Sequence, residues 1–363
     1  MKIAIVLAPG SRFSQSRPTS METVVRTLAE VSRYRSSIRI FCPEGADDHG
    51  DFDVQTVTEG RNVRIEALTR CISDYAPDLI EVHQKVVDAT RLARRFPHAT
   101  HLLYRHHALK SPKTLLDRWR YQVRYGIQDG LVFVSQSERD RFVAQHPGLA
   151  DKSFGIPNPI QAGPWLASPL DRQQIIAFAG RAMPEKGLDI LCAALPAVLD
   201  RHPHWRAILM LNDWDDHREW AAPHVAPLLR YGDRVTILHS APLGQVREIM
   251  KTVAIAVTPS VWAEPLGLTA LEAHAAGAAL ISSGRGGLRE ASGPHALYVD
   301  EVTPASLIDA MEILIADPVR RTTMAVDAQR HVLSTHAPDR RSRELDALRL
   351  KLLSKRTAAR VPA

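Results

Sequence analysis

Short apolar runs alternate with longer amphipathic segments along most of the chain. In the first half, runs rich in β-branched and aromatic residues predict strands at Ile3–Leu7, Ile38–Phe41, Leu79–His83, His101–Tyr104 and Leu131–Ser135. Helical periodicity predicts helices at about 21–33, 61–75, 112–126 and 136–145. This alternation is typical of parallel βαβ units with helices on both faces of the sheet.

Pro and Gly are concentrated in residues 155–164, where no regular helix can form. We therefore predict a domain boundary there, with a first domain at 1–160 and a second at 161–338. Beyond it the alternation resumes, with helices from Gly187, near 216–230 and from about Leu266. The predicted strands are Ile175–Ala179, Arg206–Leu211, Val235–His239, Ile255–Thr258, Ala278–Ser282 and Ala296–Val299.

From about residue 304 onwards only helical patterns remain, and prolines separate them. In the last pattern, at about 339–356, leucines recur at helical spacing. We expect this closing helix to return to the first domain. The whole pattern predicts an α/β protein with two Rossmann-like, doubly wound domains facing a cleft.

Composition agrees with a folded enzyme of two domains. The chain has 363 residues, of which 45% are hydrophobic and 24% charged, so it can bury two sizeable cores. Its three cysteines lack C-x-x-C spacing and cannot all pair, which favours a reducing, cytoplasmic location. The apolar run at Ile3–Leu7 is too short for a signal sequence or a membrane span.

The formal net charge of +6 is modest, but its distribution is uneven. Residues 91–124 contain nine Lys or Arg side chains and a single acid, Asp117. Such a segment is either a solvated helix face or a surface attracted to anionic lipid headgroups or an anionic acceptor. The second interpretation predicts a peripheral location at the inner face of a membrane. No nucleic-acid-binding motif accompanies the charge, so we expect no nucleic-acid partner.

The most specific stretch runs from Thr258 to Gly277, where a buried strand ends at a proline and a helix opens near Leu266–Leu268. The first turn of that helix offers unpaired N–H groups to an anion such as a diphosphate, and Gly267 permits close approach. Glu264 precedes the helix and Glu272 lies about one turn inside it. Both could accept hydrogen bonds from sugar hydroxyls, or both could be ordinary helix carboxylates.

A second cluster follows the first strand of the second domain. It places Arg181 and Lys186 between Gly180 and Gly187. Arg181 can bind a phosphate with two hydrogen bonds and Lys186 can add a point charge. Alternatively, both are loop charges near a helix start.

The two blocks, G-R-x-x-x-E-K-G and E-P-x-G-L-x-x-x-E-A-x-A-x-G, resemble the donor site of the retaining glycosyltransferases of family GT4, which have the GT-B fold. The resemblance implies that Arg181 and Lys186 bind the donor diphosphate. It also implies that Glu264 contacts the transferred sugar and Glu272 the ribose. The helix start at Gly267, Leu268 and Thr269 completes the implied donor site. The later G-G-x-x-E turn at Gly286–Glu290 also resembles the family, as a structural element.

The first half resembles the family more weakly. The Gly-Gly-x-Glu of many members is replaced by Thr19-Ser20-Met21-Glu22, so Ser20 is a weak acceptor-side candidate. Members tend to carry a histidine that faces the donor sugar, and here both His106 and His107 could fill that role. Asn158 matches the interdomain Asn of the family, although Pro159 and Gln161 replace residues that usually follow it.

The resemblance implies transfer of a sugar from a nucleoside diphosphate to a hydroxyl of a saccharide or lipid-linked acceptor, in cell-envelope polysaccharide or glycolipid synthesis. Whether the donor is linked to UDP, GDP or ADP stays open. We expect no cofactor and no metal, because Arg181 and Lys186 supply positive charge and Asp213–Asp216 looks like an exposed loop and helix cap. A sugar-nucleotide epimerase and a non-catalytic nucleotide-sugar-binding protein are the alternatives.

Overall fold

The computed structural model describes residues 1–16, 18–60, 63–107 and 114–358. The chain forms two units. Unit 1 comprises Met1–Pro159 together with the C-terminal segment that begins at Pro338, and unit 2 comprises Ile160–Ala337. Each unit is built on its own parallel sheet.

Unit 1 contains a seven-stranded sheet with the order β3-β2-β1-β4-β5-β6-β7. Every adjacent pair is parallel, and Ile3 on β1 pairs with both Ile38 on β2 and Leu79 on β4. The strands are β1 Ile3–Val6, β2 Ile38–Pro43, β3 Val54–Val57, β4 Leu79–His83, β5 Thr100–Arg105, β6 Gly130–Phe133 and β7 Ser153–Gly155. The chain reverses its direction of travel across the sheet between β1 and β4, which makes this the topological switch point.

Helices connect these strands and bury their apolar sides in a core under the sheet, which includes Leu68, Leu92 and Phe142. They are α1 Ser20–Glu30, α2 Val63–Tyr75, α3 Val86–Arg95, α4 Leu115–Gly126 and α5 Gln136–Gln145. Helix α1 starts with a capping box, because Thr19 accepts from the Glu22 N–H and Glu22 accepts from the Thr19 N–H.

Unit 2 contains a six-stranded parallel sheet with the order β10-β9-β8-β11-β12-β13. Its strands are β8 Gln173–Arg181, β9 Arg206–Asn212, β10 Val235–His239, β11 Val253–Thr258, β12 Ala279–Ser282 and β13 Leu297–Tyr298. The switch point lies between β8 and β11. The carboxyl ends of these two strands are therefore neighbours, which is where open α/β sheets bind ligands.

The helices of unit 2 enclose two apolar clusters, one around Leu195 and Leu209 and one around Leu271 and Leu280. The helices are α6 Leu188–Arg201, α7 Trp214–Val225, α8 Leu243–Met250, α9 Leu268–Ala275, α10 Leu288–Ser292, α11 Pro304–Ala316 and α12 Pro318–Thr335. Short 3₁₀ turns occur at Arg35–Ser37, Pro147–Lys152, Gly163–Trp165, Pro184–Lys186 and Ala226–Arg234.

The last helix, α13 at Pro338–Ala358, belongs to unit 1. It packs against α1 and β5, buries Leu345 and Leu352, and donates a hydrogen bond from Ser342 Oγ to the Leu28 carbonyl at 2.9 Å. The same helix also buries Arg349. Among the described helices, none has the length and apolar character needed to span a bilayer.

The predicted fold class of two parallel, doubly wound sheets is confirmed. The prediction omitted strands β3 and β7 and helices α3, α8 and α10. Strand β3 lies at the sheet edge and buries only Val57, while β7 has three residues, so neither shows a clear apolar run. Helix α8 has eight residues, too few for a clear helical period. Helix α3 is strongly charged at its C-terminal end.

Candidate functional site

The two sequence blocks of unit 2 meet at the switch point of its sheet. Arg181 is the last residue of β8, and the loop after β11 begins at Pro259. The N–H of Val261 donates to the Glu185 carbonyl at 2.9 Å, which joins the two loops directly. Strand pairing in the parallel sheet thus brings together blocks that lie about 80 residues apart in the sequence.

Gly187 allows the two loops to touch. Its φ is +67°, and a Cβ atom at this position would lie 2.2 Å from the Pro259 carbonyl oxygen. Any side chain here would have to push the loops apart, in a backbone conformation that other residues rarely adopt. This close approach explains the glycine at the end of the first block.

Lys186 and Glu264 form the centre of this arrangement. Lys186 Nζ donates to Glu264 Oε1 at 2.5 Å, and Ser260 Oγ donates to the same oxygen at 2.6 Å. Glu264 is buried and Lys186 is half-buried, with its ammonium 5.6 Å from the centre of the Trp262 ring. The carboxylate is therefore held by two donors, one of them charged, which gives a strong and short hydrogen bond.

The Gly-Gly turn fixes the backbone of Glu264. Glu264 forms a parallel β-bridge with Gly286, and the Gly287 N–H donates to the Glu264 carbonyl at 2.8 Å. A Cβ on Gly286, whose φ is +63°, would lie 2.3 Å from that carbonyl oxygen. The Gly286–Gly287 turn is therefore in direct contact with the backbone of Glu264.

Helix α9 begins four residues after Glu264, and no side chain caps its first turn. Gly267 has a φ of +98° and precedes the first helical residues, Leu268 and Thr269, which are half-buried. The first N–H groups of a helix have no partner inside the helix, so this turn can donate to an anion.

Glu272 lies one turn further along α9 and is half-buried. Burial raises the pKa of Glu272 to about 7, against the opposing effect of Arg247 on α8. Arg181 is exposed at the end of β8. Within the described residues, no hydrogen bond or ion pair joins Arg181 or Glu272 to the Lys186–Glu264 pair.

In unit 1 the two candidate histidines differ in environment. His106 is buried, and its Nε2 lies 2.7 Å from His83 Nδ1, whereas His107 is exposed. The backbone N–H groups of both donate to Gln84 Oε1, at 2.9 and 3.2 Å. Burial and the charges of its neighbours lower the pKa of His106 well below its usual value, so its ring is neutral.

The other two candidates of unit 1 lie apart from the histidine pair in the sequence. Ser20 is exposed at the first position of α1, and Asn158 is buried just before the end of the first segment of unit 1. Of the basic residues in segment 91–124, Lys110 and Lys113 lie outside the described residues.

Several side chains at these sites were absent from the sequence prediction. Ser260, Trp262 and Arg247 contact or act on the predicted donor residues, and Gln84 accepts hydrogen bonds from the backbone N–H groups of both histidines. Gln84 has a φ of +65°, a strained conformation that is common at functional sites. The buried partners of His106 could have been suspected from the sequence, because Glu81 and His83 form a short E-x-H pattern.

Within the described residues, no group of three or more His, Cys, Asp or Glu side chains is arranged to hold a metal ion. Asp213 adopts a left-handed backbone conformation just before α7, and its side chain does not cap that helix. The predicted cap by the Asp213 side chain is therefore wrong, and Trp214–Asp216 form the first turn of α7 rather than a loop.

Solved structures share this architecture over nearly the whole chain. A glycosyltransferase from Rickettsia africae ESF-5 matches with a TM-score of 0.80 and 14% identity, covering 97% of this chain and 98% of that one. Anabaena Alr3699/HepE in complex with UDP-glucose matches with a TM-score of 0.77 and 17% identity, covering 97% and 100%. The protein has the GT-B fold of glycosyltransferases.

Sequence comparison adds a family match within unit 2. Residues 173–317 match the family described as Glycosyl transferases group 1. The chain is 32% identical over 164 residues to the D-inositol 3-phosphate glycosyltransferase of Corynebacterium glutamicum (strain R). That match covers 44% of this chain and 39% of the relative, so the chain spans about two fifths of the relative's length.

Proposed function

We propose that this protein is a retaining glycosyltransferase of the GT4 type, which transfers a hexose from a nucleoside diphosphate to an acceptor hydroxyl. The observation that supports the proposal most is the Lys186–Glu264 pair beside the uncapped start of α9. In this proposal unit 2 binds the donor and unit 1 binds the acceptor, and the protein acts in the cytoplasm. The relative from Corynebacterium glutamicum, named as a glycosyltransferase, supports the same reaction class.

The donor diphosphate would be bound by cations and helix N–H groups. We assign it to Arg181, Lys186 and the first turn of α9 at Gly267, Leu268 and Thr269. The exposed Arg181 can turn towards the ligand. Lys186 gives up its hydrogen bond to Glu264 and donates to a phosphate oxygen instead. Glu264 is then free to accept a hydrogen bond from the transferred sugar. Glu272 accepts hydrogen bonds from the ribose, and the site needs no metal because these cations neutralise the diphosphate.

In the proposed reaction, the bond between the anomeric carbon and the diphosphate oxygen breaks while the acceptor oxygen bonds to the same face of that carbon. The acceptor proton moves to the departing phosphate oxygen, so no protein nucleophile is required. Arg181, Lys186 and the α9 start stabilise the charge on the leaving diphosphate. His106 accepts a hydrogen bond from the sugar, and we favour it over His107 because its ring is held by the buried partner His83.

The test begins with thermal unfolding of the protein in the presence of UDP, GDP, ADP and their sugars. The stabilising donor is then incubated with lipid and saccharide acceptors, and products are identified by mass. Transfer with retention supports the proposal. Conversion of the donor without an acceptor identifies an epimerase, and binding without nucleotide release identifies a non-catalytic binding protein.

We further propose that the acceptor is lipid-linked or an anionic saccharide of the cell envelope and that α4 docks on an anionic membrane. Leu115, Leu116, Trp119 and Val123 recur at three- and four-residue intervals on one face of α4, and all are exposed. Leu115 is 85% exposed and Trp119 is 62% exposed. Exposing such a face to water costs free energy unless it packs against an apolar surface.

Arginines border this apolar face of α4. Arg120 lies along one side and Arg118 along the other, while Arg124 and Asp117 lie next to each other towards the opposite side of the helix. An apolar stripe flanked by arginines suits the interface of an anionic bilayer, where each cation near the surface adds about 1 kcal/mol. A partner protein with an acidic groove would be the competing occupant.

Vesicle flotation tests the docking surface without any assay of activity. The protein should float with vesicles that contain an anionic phospholipid and remain behind with purely zwitterionic ones. The double variant Leu115→Ser/Trp119→Ser should lose at least about tenfold in partitioning, since it removes two apolar side chains that would insert into the bilayer. The matched control, Leu229→Ser/Val319→Ser, removes exposed apolar side chains from unit 2 and should float normally. Equal flotation of all three proteins would contradict the docking surface.

A further inference from the structure

Buried polar side chains in unit 1 form a continuous line from the end of β5 to helix α13. His106 Nε2 lies 2.7 Å from His83 Nδ1, and His83 Nε2 lies 2.9 Å from Glu81 Oε1. The other oxygen of Glu81 accepts from Arg349 Nη2 at 2.8 Å and from Arg349 Nε at 2.9 Å. His83, Glu81 and Arg349 are each only 1% exposed.

The far end of this line is anchored to unit 1 by Asp346. Arg349 Nη1 donates to Asp346 Oδ1 at 2.9 Å, and Asp346 also accepts from Ser32 Oγ and from the Arg33 N–H. Burial alone would raise the pKa of Glu81, but Arg349 and the hydrogen bond from His83 lower it to about 2. Glu81 therefore stays ionised at neutral pH.

Hydrogen-bond chemistry then decides where the protons lie. Arginine has only donors and a carboxylate has only acceptors, so His83 Nε2 must carry the hydrogen that faces Glu81. In neutral His83, Nδ1 is consequently an acceptor, and His106 Nε2 must donate to it. His106 Nδ1 then has no hydrogen, and it has no hydrogen-bond partner among the described residues.

The rings are also held in position. The centres of the His83 and His106 rings are 5.0 Å apart with planes 26° apart, so the hydrogen bond lies close to both ring planes. Tyr104 packs nearly parallel to each ring, with centre separations of 5.1 and 4.7 Å. Rotation of either ring would break the hydrogen bond and collide with Tyr104.

We propose that Arg349 of α13 is a positioning residue for His106. Through Glu81 and His83 it determines which ring nitrogen of His106 carries the proton, so that His106 presents Nδ1 as a hydrogen-bond acceptor. The structural part is independent of the reaction, whereas its consequence for sugar transfer rests on the proposed function. The C-terminal helix thereby acts on a residue near the carboxyl edge of the unit 1 sheet.

The direct test is the tautomer of each ring in the full-length protein labelled with ¹⁵N-histidine. Two-bond ¹H–¹⁵N spectra at about pH 8, above the usual histidine pKa, distinguish the two neutral forms. The substitutions His83→Gln and His106→Gln assign the two signals among the 16 histidines. Hydrogen on Nε2 of both rings is expected. Hydrogen on Nδ1 of His106, or a protonated His83, overturns the proposal.

Glu81→Gln should reverse both tautomers. Because Arg349 has only donors, the carbonyl oxygen of the new amide must face Arg349 and its NH₂ group must face His83. His83 then accepts at Nε2 and donates from Nδ1, which moves the hydrogen of His106 to its Nδ1. Unchanged tautomers in Glu81→Gln overturn the proposal.

Two further variants separate this effect from a purely structural one. Arg349→Lys keeps a charged group with donors only, so the wild-type tautomers should remain. In the double variant Glu81→Gln/Arg349→Met the amide can turn its oxygen to His83, so the wild-type tautomers should return. If the double variant does not restore the wild-type tautomers, the proposed effect of Arg349 on His106 through Glu81 and His83 is overturned. If Glu81→Gln does not fold, the tautomers in the wild-type spectrum decide the proposal.

Kinetics provide the functional readout. With the donor found by thermal unfolding, Glu81→Gln should lower kcat by at least about tenfold, as loss of a partner that orients a histidine commonly does. KM for the donor should change less than about twofold, because unit 2 binds the diphosphate and ribose in the proposed function. A relay with correct tautomers in a wild type that transfers no sugar would refute the proposed function and leave the relay intact.

Discussion

Lys186 has two roles in our proposal, as the partner of Glu264 in the free protein and as a diphosphate ligand in the complex. The pair is largely buried, so each member is costly to leave alone. A diphosphate offers Lys186 a replacement partner with more charge. The exchange lets Glu264 turn to the sugar without leaving Lys186 unpaired.

Lys186→Ala is expected to lower kcat/KM between about tenfold and a hundredfold, since one preorganised charge at the leaving group is lost. Lys186→Met keeps the length of the side chain and should give a similar loss. Both variants leave Glu264 with Ser260 alone and should unfold at lower temperature, so rates are measured well below that transition. The matched control is Lys251→Ala, which removes a lysine paired with exposed Glu248 in the same unit. Equal kcat/KM in wild type and Lys186→Ala would refute the assignment.

Glu272 has a pKa near neutral pH, so its proposed contact with the ribose predicts that donor affinity depends on pH. A carboxylate accepts hydrogen bonds from both ribose hydroxyls, and the protonated acid accepts fewer. The affinity for the nucleotide sugar should therefore rise between about pH 6 and pH 8, through the pKa of about 7. Calorimetry should show this rise in wild type and a weaker, flat affinity in Glu272→Gln. The same slope in both proteins would exclude Glu272 as its source.

The raised pKa of Glu272 also has a consequence for stability, with the sign opposite to that of most carboxyls. The folded protein binds a proton to Glu272 that the unfolded chain has released between about pH 4.5 and 7, so the free energy of unfolding falls as pH rises through this range. Chemical unfolding of Glu272→Gln should lack this component of the pH dependence.

In the proposed donor site, Gly187 and Gly286 lie at close contacts between the backbones of neighbouring loops. Gly187→Ala should separate the loops after β8 and β11 and lower stability by about 1 to 3 kcal/mol, because of the left-handed φ and the contact with Pro259. Donor affinity should fall with it. Gly244→Ala is the matched control, since it lies in α8 with open space around it and gains about 1 kcal/mol of helix propensity. Denaturant unfolding and calorimetry measure both effects, and a neutral Gly187→Ala would contradict the described loop contact.

The elements themselves were mostly predictable. Strands Leu79–His83 and Val235–His239 have the predicted bounds, because each is a short apolar run that ends at a polar residue. Strand β3 was missed because, at the edge of the sheet, it lacks a clear apolar run. Helix α8 was missed because it is too short to show a helical period of apolar residues. The predicted helix near 216–230 ends at Val225 and continues as a 3₁₀ turn.

The whole molecule contains one unit that is continuous in sequence and one that is not. Unit 1 is completed by α13, whose Leu345 is fully buried and whose Arg349 is the counter-charge of Glu81. Loss of this helix would leave an ionised Glu81 buried without its partner, which is strongly unfavourable. Unit 2 has its own sheet and its own apolar clusters.

Leu345→Asp is therefore expected to destabilise unit 1 selectively by several kcal/mol, about the cost of placing an unpaired charge in a core. Hydrogen exchange should increase in peptides of α1 and β5, while peptides of β8 and β11 stay protected. Leu350→Asp, the same substitution at an exposed position of α13, should exchange like wild type. Increased exchange spread equally over both units would contradict this independence.

The sequence by itself determined the two parallel sheets, since apolar runs and helical periods are local patterns that the fold must satisfy. It also identified the blocks around Lys186 and Glu264, because glycines and charges at fixed spacing are visible without a structure. Only the tertiary structure decided which atoms meet: that Lys186 bonds Glu264, that Arg247 opposes Glu272, and that Arg349 reaches Glu81 across 268 positions of sequence. The reason is that hydrogen bonds and burial depend on distances between side chains, which strand order and helix packing set and no local pattern encodes.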